Sequence, residues 1–356
     1  MYDDEAFISP ICFLCYNFFC TFAVIMILDV VRHKFAEALL MLLFLALSAM
    51  VAAMCVSALP EGVVANVAPM RPVLHSFAVN HHILAALIIL PLFCSAALRL
   101  ARATIRISLY PESTMAAIAI AAVVLLATTS SGEAFVLMII AFLMCYSLGR
   151  LLGCFGPPMR VQRLFSAMLA IGCMPLIDSS LLAVVIVTPL LVIFVRRTLR
   201  ESIISIVGVL LPLFAYSYIV WCLGGNFTTT VIAIWNDMLT PAYSNITTYI
   251  TLPRMIFVAM LVVMQLSSSV IYISDRMSLG PGVRHAWSFL QLFFAALLLL
   301  AVLLPSASSA LFVVATLPTI AMLPLLLMRV PAYLSTLLFF ILLSCGYLIV
   351  ILNIAA

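Results

Sequence analysis

Apolar stretches run through almost the whole chain, most of them near the length that crosses a bilayer, and short polar breaks separate them. A helix rising about 1.5 Å per residue needs about 20 residues to cross about 30 Å of hydrocarbon. On that measure the sequence predicts spans over 7–28, 36–58, 80–98, 114–129, 134–148, 164–177, 179–195, 202–223, 254–274, 286–304, 310–328 and 331–352. The span over 164–177 is short and reaches the interface only if Arg160 and Arg163 snorkel. Two longer breaks, 59–79 and 224–253, read as loops. Pro91, Pro189, Pro212, Pro318 and Pro324 fall inside spans, where each removes a backbone hydrogen bond and favours a kink. No alternating segments of about ten residues suggest an outer-membrane barrel. The expected fold is therefore all-α: a polytopic transmembrane helical bundle of about twelve spans, one membrane domain over residues 1–356. Both termini are expected outside, with a central module over 36–222, an outer loop over 224–253 and a four-span segment over 254–354.

Composition agrees with this pattern. The 356 residues are 67% hydrophobic and 8% charged, whereas a soluble domain carries about 25% charge. Three acids and no base stand in Met1–Glu5, which is unlike a signal peptide. Cys12 and Cys15 form a C-x-x-C inside the first apolar stretch with no second pair, so the cysteines read as packing residues.

The charges test the alternation independently, because the spans were set by hydropathy alone. Threading the chain back and forth puts 14 of the 16 Lys and Arg residues on one side and only Arg71 and Arg254 on the other. By the positive-inside rule the richer side is cytoplasmic. The net charge of +4 is dispersed over short loops, which excludes a nucleic-acid-binding face. Arg196, Arg197, Arg200 and Glu201 sit between two spans, and Arg197 and Glu201 are four residues apart. They read as a topological clamp, since a central Arg would cost roughly 3 kcal/mol on insertion.

No P-loop, dinucleotide fingerprint, nucleophile elbow or H-E-x-x-H helix occurs, so the cofactor is left unknown and any catalysis must use dispersed residues. Glu61, Glu133, Asp178 and Asp237 all fall on the outer side, beside Arg71, His75, His81 and His82. Outward carboxylates with a few bases suit an anionic lipid headgroup. The competing reading is interfacial side chains kept hydrated where charge costs little. The histidines are not accompanied by a second ligand set, and no metal site is expected. Gly149-x-x-x-Gly153 is a helix-packing pattern at a span end. Asn226-Phe-Thr228 and Asn245-Ile-Thr247 are sequons on the outer loop.

The run from Leu164 through Pro175-Leu176 to Arg196-x-x-x-Arg200-Glu201, then Gly208-x-x-x-Pro212, resembles the central block of a bacterial polytopic inner-membrane family of unknown function. The part from Arg284 through Pro318 to Tyr333 looks like that family's end. This resemblance implies the bacterial cytoplasmic (inner) membrane and brings no activity with it. The order of elements is also similar to glycosyltransferases of the GT-C architecture, which act on lipid-linked sugars. There, a span leads to a first outer loop with an acidic catalytic residue, then to paired spans with short outer turns, then to a larger outer loop. The loop with Glu61, the turns at Glu133 and Asp178, and the loop after Leu223 follow that order. That likeness implies a polyprenyl-phosphate sugar at the outer leaflet. Glu61 would be general base or metal ligand, Glu133 or Asp178 an orienting acid, and Arg71, His75, His81 and His82 substrate contacts. A transporter or flippase, or a non-catalytic scaffold in contact with membrane lipid, are the other readings of the same architecture.

Overall fold

The helix Ala116–Thr129 is buried along its whole length and carries no polar side chain before Thr128. A helix apolar on every face belongs in an interior, and its many alanines let neighbours approach from all sides. The computed structural model describes residues 16, 17, 20, 35–55, 68–111, 114–155, 161–196, 199–240, 251–304 and 306–355, with the side chain of Arg196 excepted. Most of the first expected span, Cys12, Cys15, Glu61, Arg197 and Asn245 lie outside the described residues.

The described chain is all-α. Its helices in order are α1 (Phe35–Cys55), α2 (Arg71–Asn80), α3 (His82–Arg106), α4 (Ala116–Thr129), α5 (Ala134–Leu152), α6 (Val161–Cys173) and α7 (Leu182–Arg196). They continue with α8 (Leu199–Cys222), α9 (Thr229–Leu239), α10 (Leu252–Asp275), α11 (Pro281–Leu303), α12 (Ser309–Arg329) and α13 (Ala332–Ala355). Eight are long and apolar enough to cross a membrane, and α4, α6 and α7 with their short 3-10 extensions are shorter apolar helices. This is a polytopic helical membrane protein.

Two helices form the centre. α4 packs against α1, α3, α12 and α13, while α12, buried from Ser309 to Leu327 apart from Phe312, also meets α5, α10 and α11. The outer helices turn apolar side chains away from this core. α8 exposes Ile203, Ile206, Val207, Leu210 and Phe214, and α10 exposes Ile256, Val263, Leu266 and Val270. Such faces suit contact with lipid chains. The hydroxyls inside the bundle are satisfied locally, as lipid surroundings demand. Thr128 Oγ1 donates to Val124 O at 2.7 Å and Thr129 Oγ1 to Leu125 O at 2.7 Å.

Polar ties between helices are few and specific. Ser268 Oγ donates to Met322 O at 2.7 Å, joining α10 to α12, and Ser48 Oγ meets Tyr347 Oη at 3.1 Å, joining α1 to α13. Tyr110, just after α3, donates to Ala321 O of α12 at 2.7 Å and is buried. Tyr110→Phe removes this donor while keeping the ring, and the unfolding free energy is expected to fall by about 1 kcal/mol. A chemical-denaturation series on the full chain in mixed micelles reads the difference, and an unchanged midpoint would count against the bond.

Three expectations shift. The second half of the loop over 59–79 folds as α2, because Pro72 suits the first helical turn and Leu74 and Phe77 find the core. Within the loop over 224–253, Thr229–Leu239 is helical and buries Ile234 and Met238. α3 runs on to Arg106, so Arg99, Arg102 and Arg106 are helical.

Candidate functional site: a buried ion-pair junction

The short helices set the site's position. α4 has 14 residues and extends only about 21 Å, whereas α3 with 25 and α13 with 24 reach about 36 Å or more. The turn after α4, the turn between α6 and α7, and the start of α2 meet at one end of the bundle, and there the buried charges collect.

Asp178 occupies the break between α6 and α7. Its backbone is extended, with φ −145° and ψ 120°, and it caps the 3-10 turn Ser179–Leu181. Oδ1 accepts from Ser180 N at 3.0 Å, Ser180 Oγ at 2.6 Å and Ser308 Oγ at 3.1 Å. The sequence Asp-Ser-Ser favours this turn, because a short carboxylate can serve the amide and hydroxyl two residues on. Ser308, at the start of α12, also bonds Ser180 Oγ at 2.7 Å. The side chain of Asp178 is wholly buried.

Arg71 begins α2 and fills the gap between two carboxylates. Nη1 donates to Asp178 Oδ2. Nη2 donates to Glu133 Oε1 at 2.8 Å and Oε2 at 2.7 Å. The preceding residue anchors the same junction, with Met70 N donating to Leu176 O at 2.9 Å. Glu133 stands immediately before α5, where a negative charge complements the helix dipole. Burial alone would lower the Arg71 pKa, but Asp178 and then Glu133 more than offset it and leave it raised. The guanidinium is therefore a fixed cation. Its Nε is buried and has no partner within the described protein.

The turn Ser130–Glu133 is held from the other side as well. Ser130 O accepts from Arg254 Nη2 at 2.5 Å and from Asn353 Nδ2 at 2.6 Å, so α10 and α13 end at this junction too. Ser179 Oγ donates to Asp237 Oδ2 of α9 at 2.5 Å.

The residues predicted from sequence are distributed as follows. Arg71, Glu133 and Asp178 touch one another, and His75 is buried one turn along α2 on the face of Arg71. His81 lies at the end of α2 with its ring 5.5 Å from Phe77, and it is exposed. His82 opens α3 and lines a cleft of about 370 Å³ together with Met54, Val79, Ser131, Gly132 and Phe135. The cleft adjoins Glu133, whose neighbours on both sides line it, and exposed Met54 and Val79 are part of its lining. Arg200 is exposed and Glu201 buried at the start of α8, at the opposite end of that helix from the junction. Among the described residues no group of three His, Cys, Asp or Glu side chains is arranged to hold a metal ion.

Ser180, Ser308, Arg254 and Asn353 were not singled out for this site. Asp-Ser-Ser is a recognisable Asx-turn signal for Ser180. Ser308 sits in the tract Ser306-Ala-Ser308-Ser309, which reads as a plain turn, and no local pattern joins it to Asp178.

Fold and site together define a multi-pass membrane protein whose short central helices end in a buried network of one Arg and two carboxylates. Comparison with protein-family models, with curated proteins and with solved structures finds no match.

Proposed function

We propose that the chain is a glycosyltransferase-like membrane protein that draws a polyprenyl-phosphate-linked sugar from the outer leaflet, with Glu133 as the reacting carboxylate. The observation that carries this reading is the convergence of Glu133, Arg71 and Asp178, contributed by separate segments, beside a cleft flanked by apolar exposed residues. Buried charge of this kind in a membrane protein is a functional site by default. Glu133 is the carboxylate next to the cleft, so it takes the proton of an acceptor hydroxyl as that oxygen attacks the sugar's anomeric carbon. The bond from that carbon to the lipid phosphate breaks, and the phosphate leaves with the electron pair. Arg71 positions Glu133, and Asp178 with its serines positions Arg71. Because both terminal nitrogens of Arg71 already bind carboxylates, His82 at the cleft is the better phosphate contact.

The orientation belongs to the same reading. Arg99, Arg102, Arg106 and Arg150 lie at the end of α3 and α5 away from the junction, which suits a cytoplasmic basic end and an outer junction. Twelve spans with both termini outside, a GT-C-like order of helices and a bacterial inner membrane complete the proposal, along with kinship to the polytopic family resembled above.

Glu133→Gln tests it. The amide oxygen can still accept from Arg71, so the fold should persist. Transfer is expected to fall about 10²- to 10⁴-fold, so that the ratio of sugar-loaded to free polyprenyl phosphate, read by mass spectrometry of host lipids, rises. A stable Glu133→Gln protein with an unchanged ratio would refute catalysis. It would leave the Arg71 network as a latch between helices, the reading that the carboxylate contacts on both of its terminal nitrogens favour.

A further inference from the structure

The opposite end of the bundle holds a second concentration of charge, of one sign. Arg99, Arg102 and Arg106 recur at spacings of three and four along the last turns of α3, and they share a concavity of about 270 Å³ with Arg150 of α5 and Arg163 of α6. Among the described residues none of these five guanidiniums pairs with a carboxylate. The ion pair between Arg329 and Asp275 is separate from this group and uses none of its members. Arg163 donates to a backbone carbonyl, Gly153 O, at 3.3 Å.

The concavity lies where α3, α5 and α6 come together. A Cβ on Gly149 would lie 3.4 Å from Arg99 O and 3.5 Å from Ala103 Cβ, ordinary van der Waals contact between α3 and α5. A Cβ on Gly153 would lie 3.2 Å from Arg163 Nη1. Basic side chains from three helices thus gather around one hollow. Tyr146 braces two of them, with the guanidinium carbons of Arg99 and Arg150 at 5.1 Å and 5.3 Å from its ring centre. Aromatic faces hold guanidiniums without consuming their hydrogen-bond donors. The ends of α3 and α5 bring partial negative charge of about half a unit each, too little to neutralise five cations.

We infer that this hollow binds a phosphate group, the anion whose oxygens fit several forked guanidinium donors at once. Scattered interfacial arginines would satisfy the positive-inside rule equally well, so the grouping around one hollow is what needs a ligand to explain it. Basic pockets between helices at a cytoplasmic face suit anionic lipid headgroups, and a free phosphate offers the same chemistry. The inference does not depend on the catalytic reading of the junction at the other end.

The test is calorimetric titration of the detergent-solubilised full chain with dihexanoyl phosphatidylglycerol, with inorganic phosphate, and with dihexanoyl phosphatidylcholine as the neutral control. Binding of phosphatidylglycerol or of inorganic phosphate supports the site, and the tighter of the two identifies its natural source. Arg99→Gln with Arg150→Gln is expected to weaken that binding about tenfold or more. Arg102→Gln with Arg106→Gln leaves the braces on Tyr146 untouched and is expected to weaken it comparably, which separates lost charge from lost packing. Arg200→Gln with Arg284→Gln makes the same charge change elsewhere and is expected to leave the affinity within about twofold. Equal loss in that control pair, full affinity in both pocket pairs, or no preference over phosphatidylcholine would each overturn the inference.

Discussion

Arg71→Met is expected to lower the unfolding free energy of the full chain by about 3–5 kcal/mol, because it strands Glu133 and Asp178 in a buried site without their shared cation. Removing one partner of a buried ionic network costs more than the network contributes, since the remaining charge keeps its desolvation penalty. Restoring neutrality separates these terms. Arg71→Met combined with Glu133→Gln and Asp178→Asn should recover most of the loss, whereas Arg71→Lys keeps the charge but not the fork and should fall between. Unfolding in mixed micelles, followed by circular dichroism, reads the series. A single Arg71→Met variant within about 1 kcal/mol of the native chain would mean that water already reaches the carboxylates and that the junction holds little together.

The second large effect is expected where α6 crosses α8. A Cβ on Gly172 would run into the backbone carbonyl of Val209, and one on Gly208 would lie 2.8 Å from Met168 Cβ. Neither obstacle can swing aside as the tip of a long side chain could. Gly172→Ala is therefore expected to force the helices apart and to cost about 3 kcal/mol, the upper part of the usual range for overpacking. Gly280 is the internal control, because a Cβ there meets nothing within 4 Å. Gly280→Ala should be close to neutral in the same micelle unfolding assay. Equal midpoints for the two variants would show that the crossing yields more easily than its backbone contacts suggest. The crossing matters to the site as well, since α6 leads directly into the Asp178 turn.

Much of the architecture was legible in the chain. Helices occupy the stretches from Phe35 onward that hydropathy marks as spans, and the five prolines inside spans are inside helices. The break at Asp178-Ser-Ser is visible as a cap signal, and Glu133 as an acid at a helix start. What escaped the sequence was α2, because its ten residues mix Arg, Pro, His and Ser with apolar positions and show no strong period. Its helicity depends on having Leu74 and Phe77 to bury. The histidines were legible as a cluster but not as separate environments: one turn of helix buries His75 beside Arg71 while His81 and His82 face outward.

Hydropathy and charge are properties of each segment by itself, so the sequence alone determined a membrane bundle, its long apolar helices and the contrast between its basic ends and its acidic turns. Pairing is a property of two faces that meet. Arg71 reaches Glu133 across 62 positions of chain and Asp178 across 107, and Asp178 meets Ser308 across 130. Only the packing of α4 and α12 at the centre, with glycines permitting the tight crossings around them, decided that these side chains share one buried junction. The same packing gathered arginines from three helices around one hollow at the other end.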